Sequence, residues 1–549
     1  MFAPRIRSVL FSLIALIICL PVVALLLSWL EWNATSVQVM QEMAQTVLPD
    51  YVVTSLILCM GVASGVTVLG TTTAAAVTLF RFPGRSFFEW ALLLPMAMPA
   101  YVVAYAYTDF LQFSGPLQNF IRYQTGAEGR VFPEIRSLGG AVLVFSLALY
   151  PYVYLLARTA LSERASQLME AARMLGAPLQ RRILEVALPL ARPAVAAGIA
   201  LALMETLADF GVSSYFGIQT FTAGVYKAWL VMDNRIAAAQ LATLLLGTVM
   251  LLLQLEKKAQ ARMRFSSIRT GFYSTSDAQP NALIGAKGLA LTAWCALPLV
   301  FGFVLPVLLM LRPLIASDID IPWSRFFNWS INSLQLGLVT ALLAVMAALV
   351  LSFNSRSKPD VFSRTATILV GLGYAIPGAV VVVGMLLPVM WLQHYWPNWQ
   401  IGYWLTATVI GLIWAYLVRF CAVALQSVQS GYARIPISLD DSSRMLGVSG
   451  FKLLSQVHTP LLKRSIFAAS LLVFVDVMKE LPATLVLRPF NTDTLAVMAY
   501  QLARDERLGE AALPSLALVL VGLIPVMMLS QAMNKPRLQP TQPPPRGKT

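Results

Sequence analysis

Charge is scarce in this chain. Asp, Glu, Lys and Arg make up 12% of its 549 residues, about half the share of a soluble domain. Hydrophobic residues make up 58% and the mean hydropathy is +0.71. Such a chain cannot cover itself with polar surface, so much of it must face lipid. Histidine is scarcer still: His394 and His458 are the only two and stand far apart, which excludes a histidine-built metal centre. Cys19, Cys59, Cys295 and Cys421 lie in separate apolar runs without redox or zinc spacing, and are read as small packing residues. The phosphate-cradling pattern G-x-x-x-x-G-K-[ST] is missing, as is any polar stretch the size of a nucleotide-binding domain. Any ATP that drives this chain is therefore hydrolysed on other subunits. No catalytic constellation appears, which argues against a membrane enzyme.

The net charge is +14. No nucleic-acid-binding pattern accompanies it, and no nucleic-acid partner is expected. The basic residues collect in loops instead. Twelve apolar stretches are long enough to cross about 30 Å of hydrocarbon. They cover 9–30, 52–80, 88–109, 138–157, 191–215 and 237–255, then 288–311, 333–353, 366–392, 403–425, 463–485 and 511–532. The first is too long for a signal peptide and lacks a cleavage signature, so it reads as a retained helix. Every second loop is basic, from Arg5 and Arg7 through Arg81 and Arg85 to Lys257 and Lys258, which puts both termini in the cytoplasm. The expected fold is all-α and integral to the membrane, with about twelve transmembrane helices in two pseudo-symmetric six-helix halves. The halves are 1–256 and 288–534, joined by a polar cytoplasmic linker at 257–287 and followed by a disordered Pro-rich tail at 535–549.

The halves repeat one another. Ala97-Met98-Pro99 returns as Ala375-Ile376-Pro377, offset by 278. Glu170-Ala171-Ala172-Arg173-Met174-Leu175-Gly176 returns as Asp441-Ser442-Ser443-Arg444-Met445-Leu446-Gly447, offset by 271, and Pro189 and Pro460 follow each Gly at the same distance. Matches in one order at nearly one offset are not chance. Each such loop reads as an amphipathic helix–turn–helix. The acid begins a short helix at its positive dipole end, the Gly permits a sharp turn, and the Pro stops the second segment below a membrane helix. One such loop is an ordinary surface helix; two with kept spacing need a partner.

These segments resemble the two coupling loops of ABC importer permeases, whose pattern is E-A-A, three residues, Gly and a distal Pro. Glu170, Ala171, Ala172, Gly176 and Pro189 match it fully. Asp441, Ser442, Ser443, Gly447 and Pro460 match with Asp for Glu and Ser for Ala. The stretches 91–116, 132–141 and 479–516 are similar to the fused two-half permeases of ferric-iron uptake. The resemblance implies loops that dock on two ATP-binding subunits, a homodimer carrying the ATP and Mg. It also implies an extracytoplasmic iron-binding protein as partner, a bacterial inner-membrane location, and no cofactor on this chain.

Four acids fall inside apolar runs: Glu205 and Asp209, then Asp476 and Glu480, related by the offset of 271. The i,i+4 spacing puts each pair on one helix face, and intramembrane acids are costly enough to need a reason. Each first acid lies 16 residues beyond its loop Pro, roughly 24 Å along a helix. Carboxylate oxygens suit a hard cation, so these four are the candidate translocation pathway, with no stable metal site. Helix-end solvation, or pairing of Asp476 with Lys479, is the plainer reading. Tyr105, Tyr107, Tyr150, Tyr152 and Tyr154 either add phenolic oxygens or form an interfacial belt. Asp233-Asn234-Arg235 and Asp505-Glu506-Arg507 form a further repeated pair outside the membrane, either touching the binding protein or simply solvated. Alternatives are the same transporter class with thiamine, polyamine or phosphonate cargo, and a secondary transporter with two parallel repeats.

Overall fold

A computed structural model describes residues 2–31, 34–162, 166–268, 281–316, 322–357 and 360–534. The tail 535–549 and most of the linker's centre lie outside the described residues. The described chain is helical almost throughout. A parallel ladder of two residues, Phe80–Arg81 with Asn281–Ala282, ties the end of the second span to the approach of the seventh.

Among the described residues, ten single helices are long and apolar enough to cross a bilayer: Val9–Leu30, Leu48–Leu79, Leu138–Ala160, Leu179–Ala208, Arg235–Ala259, Ala286–Ile315, Trp323–Ser357, Gly378–Tyr395, Val409–Tyr432 and Leu508–Met528. They are spans 1, 2, 4–10 and 12. Span 3 is the pair Arg85–Ala97 and Ala100–Thr125, bent by 88°. Span 11 is Thr459–Lys479, less apolar because it carries Lys463, Arg464, Asp476 and Lys479.

Three sequence expectations need correction. Stretch 88–109 is not one helix. Met98 turns extended and Pro99 opens a new helix, because the residue before Pro avoids the helical region and Pro supplies no N–H. The second half repeats the break in front of span 9, where Pro377 adopts nearly the same dihedrals as Pro99 (φ −55°, ψ 141° against φ −58°, ψ 141°). Second, Pro189 and Pro460 do not stop a segment. A π turn, Arg182–Ala187 or Leu453–His458, precedes each Pro, and the helix runs on. The wider turn moves away the carbonyl that the Pro ring would strike. Third, spans 5 and 11 end at Ala208 and Lys479, so Asp209 and Glu480 lie beyond the helices that carry Glu205 and Asp476.

The sequence halves are not the packing halves. Span 1 packs on spans 6, 8, 9 and 10, while span 7 packs on spans 2, 3, 4 and 12. One apolar core joins spans 2–5 to spans 7 and 12, and the other joins spans 8–11 to spans 1 and 6. Each half thus lends its first helix to the other. Close approach within a half uses small residues, since lipid gives apolar helices no reason to prefer each other. At Gly65 of span 2, an added Cβ would lie 2.1 Å from the Ser146 hydroxyl of span 4.

Candidate functional site

Two matched loop helices stand at one end of the bundle, Ser166–Met174 and Ile437–Met445. Glu170 and Asp441 occupy the middle of these helices, not their first turns as expected. Each instead pairs with an Arg three residues on, Glu170 with Arg173 at 3.8 Å and Asp441 with Arg444 at 3.3 Å. Both helices end alike. Gly176 and Gly447 are left-handed, at φ +78° and +81°. Their amides donate to the Arg173 and Arg444 carbonyls, and those of Ala177 and Val448 to the Ala172 and Ser443 carbonyls. This closing motif needs a residue free of the Cβ penalty. The residues just before each Gly stand out in solvent: Met174 88%, Leu175 87%, Met445 90% and Leu446 83% exposed. Two repeat-related apolar tips at one end are what a partner with two matching clefts would cover.

The two loop helices are rooted differently. Below the second, Asp440 accepts from Arg356 Nε at 2.8 Å and lies 3.1 Å from His458 Nε2, while the Tyr432 hydroxyl bonds His458 Nδ1 at 3.1 Å. In the first half the repeat-related residues are Met169, Ala187 and Leu161, all buried and apolar. Burial lowers the His458 pKa below its ordinary range, outweighing Asp440. Burial opposes ionisation of Asp440, yet Arg356 and His458 hold its carboxyl below the usual range. Both shifts have one sign. The unfolded state binds more protons as pH falls, so this cluster's stability is complete above about pH 6.5 and lost below it, through His458 first. Amide protection over 437–447, corrected for the intrinsic pH dependence of exchange, should therefore fall on acidification, while protection over 166–176 should not. Equal responses of the two segments would show that the cluster does not hold the second helix.

A cavity of about 480 Å³ lies between the halves, and all four intramembrane acids line it. They form two kinds. Asp209 accepts from the amides of Val212 (2.8 Å) and Ser213 (3.3 Å). Glu480 accepts from the amides of Ala483 and Thr484, each at 3.0 Å, from the Thr484 hydroxyl at 2.6 Å, and from Arg419 at 3.1 Å. These two acids cap the short helices that follow the breaks, satisfying otherwise orphaned amides. The shared i,i+4 face is therefore not formed. Glu205 and Asp476 remain, one from each half, on the last turns of spans 5 and 11. Glu205 accepts from the Tyr374 hydroxyl at 3.2 Å, across the interface between halves.

Among the tyrosines, Tyr152 lines the cavity. Tyr150, Tyr154 and Tyr107 donate to the carbonyls of Leu92, Glu89 and Phe301 and anchor neighbouring helices, and Tyr105 is buried against Tyr101 and Tyr215. They form neither an interfacial belt nor, Tyr152 apart, a ligand set. Sequence reading missed Tyr374 and Arg419. A lone Arg inside the apolar run 409–425 is itself a signal; Tyr374 carried none. Of the outer repeated pair, Asp233 and Glu506 share a left-handed backbone, and Glu506 pairs with Arg136 at 3.5 Å. Among the described residues, no group of three or more His, Cys, Asp or Glu is placed to hold a metal ion.

Twelve spans in two interlocked halves, a charged cavity between them and two matched apolar tips below define a multi-pass membrane permease. Residues 66–256 match the family described as binding-protein-dependent transport system inner membrane component; the second half repeats the features of this matched region. The chain is a fused two-half permease of the binding-protein-dependent ABC importer class. It is 25% identical to the Fe(3+)-transport system permease protein FbpB 2 of Haemophilus influenzae, over 95% of this chain and 97% of that protein. It is 23% identical to the ferric transport system permease protein FbpB of Actinobacillus pleuropneumoniae, over 82% and 66%. The sulfate transport system permease protein CysT of Salmonella typhimurium is 29% identical but matches 36% of this chain.

Proposed function

We propose that this permease admits ferric iron, handed over by an extracytoplasmic binding protein, and that ATP hydrolysis on two docked subunits drives it. The observation that carries the reading is the pair Glu205 and Asp476. They are repeat-related acids, free of capping duty, facing one cavity between the halves. Hard carboxylate oxygens suit a hard cation in transit. Three relatives aligned along more than four-fifths of the chain are named for ferric transport, whereas the sulfate permease aligns with about a third of it. An anionic cargo such as a phosphonate would need cationic lining, and Arg419 is already paired with Glu480. A secondary transporter would have no use for the two exposed tips.

Met174 with Leu175, and Met445 with Leu446, are the docking points for the ATPases, which carry the ATP and Mg. The alternating basic loops support a cytoplasmic location for those tips, the linker and both termini. A reporter fused at Lys258 should therefore read cytoplasmic and one at Asn398 external; an external signal at Lys258 overturns the orientation. The test of cargo is reconstitution with the ATPase and the binding protein. ATP-dependent accumulation of radioactive ferric iron is the expected result. Accumulation of thiamine, a polyamine or an oxyanion in its place overturns the iron reading.

A further inference from the structure

Lys479 is an intramembrane cation that the transport reading leaves without a task. It lines the cavity with Glu205 and Asp476, one helical turn past Asp476 on span 11, and the fields of both acids act on it. Its Nζ crosses to the other half and donates to the Met96 carbonyl at 3.3 Å. That carbonyl belongs to the broken turn of span 3, just ahead of Pro99. The place is shaped for it. At Gly522 of span 12, an added Cβ would lie 2.0 Å from the Ala97 carbonyl and 2.8 Å from both Cε and Nζ of Lys479, so the glycine makes room for the broken turn and the ammonium together. The first half has Ala208 where the second has Lys479. It has Met250 where the second has Gly522, at the offset that aligns Asp233 with Asp505. One half therefore provides an ammonium and a groove for it, and the other provides neither.

The remaining charges nearby are committed: Arg419 to Glu480, and Asp209 to backbone amides. Two uncompensated carboxylates facing each other in a low-dielectric cavity would be costly. We propose that Lys479 is a tethered cation that neutralises the Glu205–Asp476 pair while the pathway is empty and yields it to an incoming trivalent cation but not to a mono- or divalent one. It is a specificity residue. A weakly charged cation cannot displace the ammonium, so the cavity rejects it. The inference rests on the reading of Glu205 and Asp476 as the pathway.

The test is Mn2+ binding to the full chain purified in detergent, followed by loss of the free-ion electron paramagnetic resonance signal. Wild type should bind Mn2+ poorly. Lys479→Ala, which installs the first half's own residue, should bind it at least about tenfold more tightly, the scale of one nearby charge. Lys479→Met, which keeps the bulk, should do the same if Lys479→Ala fails to fold. Adding Glu205→Gln should abolish the gain. No gain in either lysine variant, or a gain that survives Glu205→Gln, overturns the proposal. Because the titration reads charge and not iron, it separates from the transport reading, which iron uptake tests.

Discussion

Iron uptake by the Glu205→Gln, Asp476→Asn variant should fall by more than about tenfold, with each single amide giving a smaller loss. Neither acid caps a helix, and a Gln at 205 can still accept from the Tyr374 hydroxyl, so the amides remove the proposed cation ligands without unpinning a helix. Assembly with the ATPase should survive, because the loop helices are untouched. Asp209→Asn and Glu480→Gln should behave otherwise. They weaken the caps after spans 5 and 11, and Glu480→Gln also strips Arg419 of its buried partner. The expected signature is a loss of folded protein larger than the loss of uptake per folded molecule, since breaking a buried pair is costly. Uptake is measured as radioactive iron per assembled complex. Wild-type uptake by the double amide would remove these acids from the pathway.

Gly176→Pro should abolish co-purification of the ATPase while leaving the permease in the membrane. Gly176 sits at φ +78°, and Pro holds φ near −65°. The substitution also deletes the amide that closes the loop helix on the Arg173 carbonyl. The helix would then unwind from its end and lose the tip formed by Met174 and Leu175. Gly176→Ala should be milder, costing about 1 kcal/mol, because space is open around the Cβ and only the left-handed backbone resists it. Gly447→Pro should act likewise on the second loop, whose root is held by the Arg356–Asp440–His458 cluster. Undiminished ATPase capture by Gly176→Pro would refute the docking assignment.

Local chemistry accounts for what the sequence disclosed. The left-handed glycines, the paired prolines and the repeated acids each follow from residue type and spacing, and the structure shows the same backbone in both copies. The exchange of first helices was not legible, because every apolar span is equally ready to pack on any other. The π turns before Pro189 and Pro460 were hidden too: a Pro in a helical pattern reads as a stop unless the preceding turn widens. The division of the four acids into caps and free ligands depends on where spans 5 and 11 end. One residue of difference in a helix end turns a cavity-facing carboxylate into a cap, and no periodicity fixes an end that finely.

The same π turns make the loop and the cavity mechanically one piece. From Leu179 the helix runs unbroken to Ala208, so Gly176 stands at the foot of a stiff rod and Glu205 near its far end, roughly 40 Å away at helical rise. In the second half, Gly447 and Asp476 stand at the corresponding points of a matching rod through span 11. Beyond the Gly176 and Gly447 turns, a push on the foot of either rod reaches its acid without crossing a further loop. Under the proposed function, two such rods link the docked subunits outside the membrane to the spacing of Glu205 and Asp476 within it.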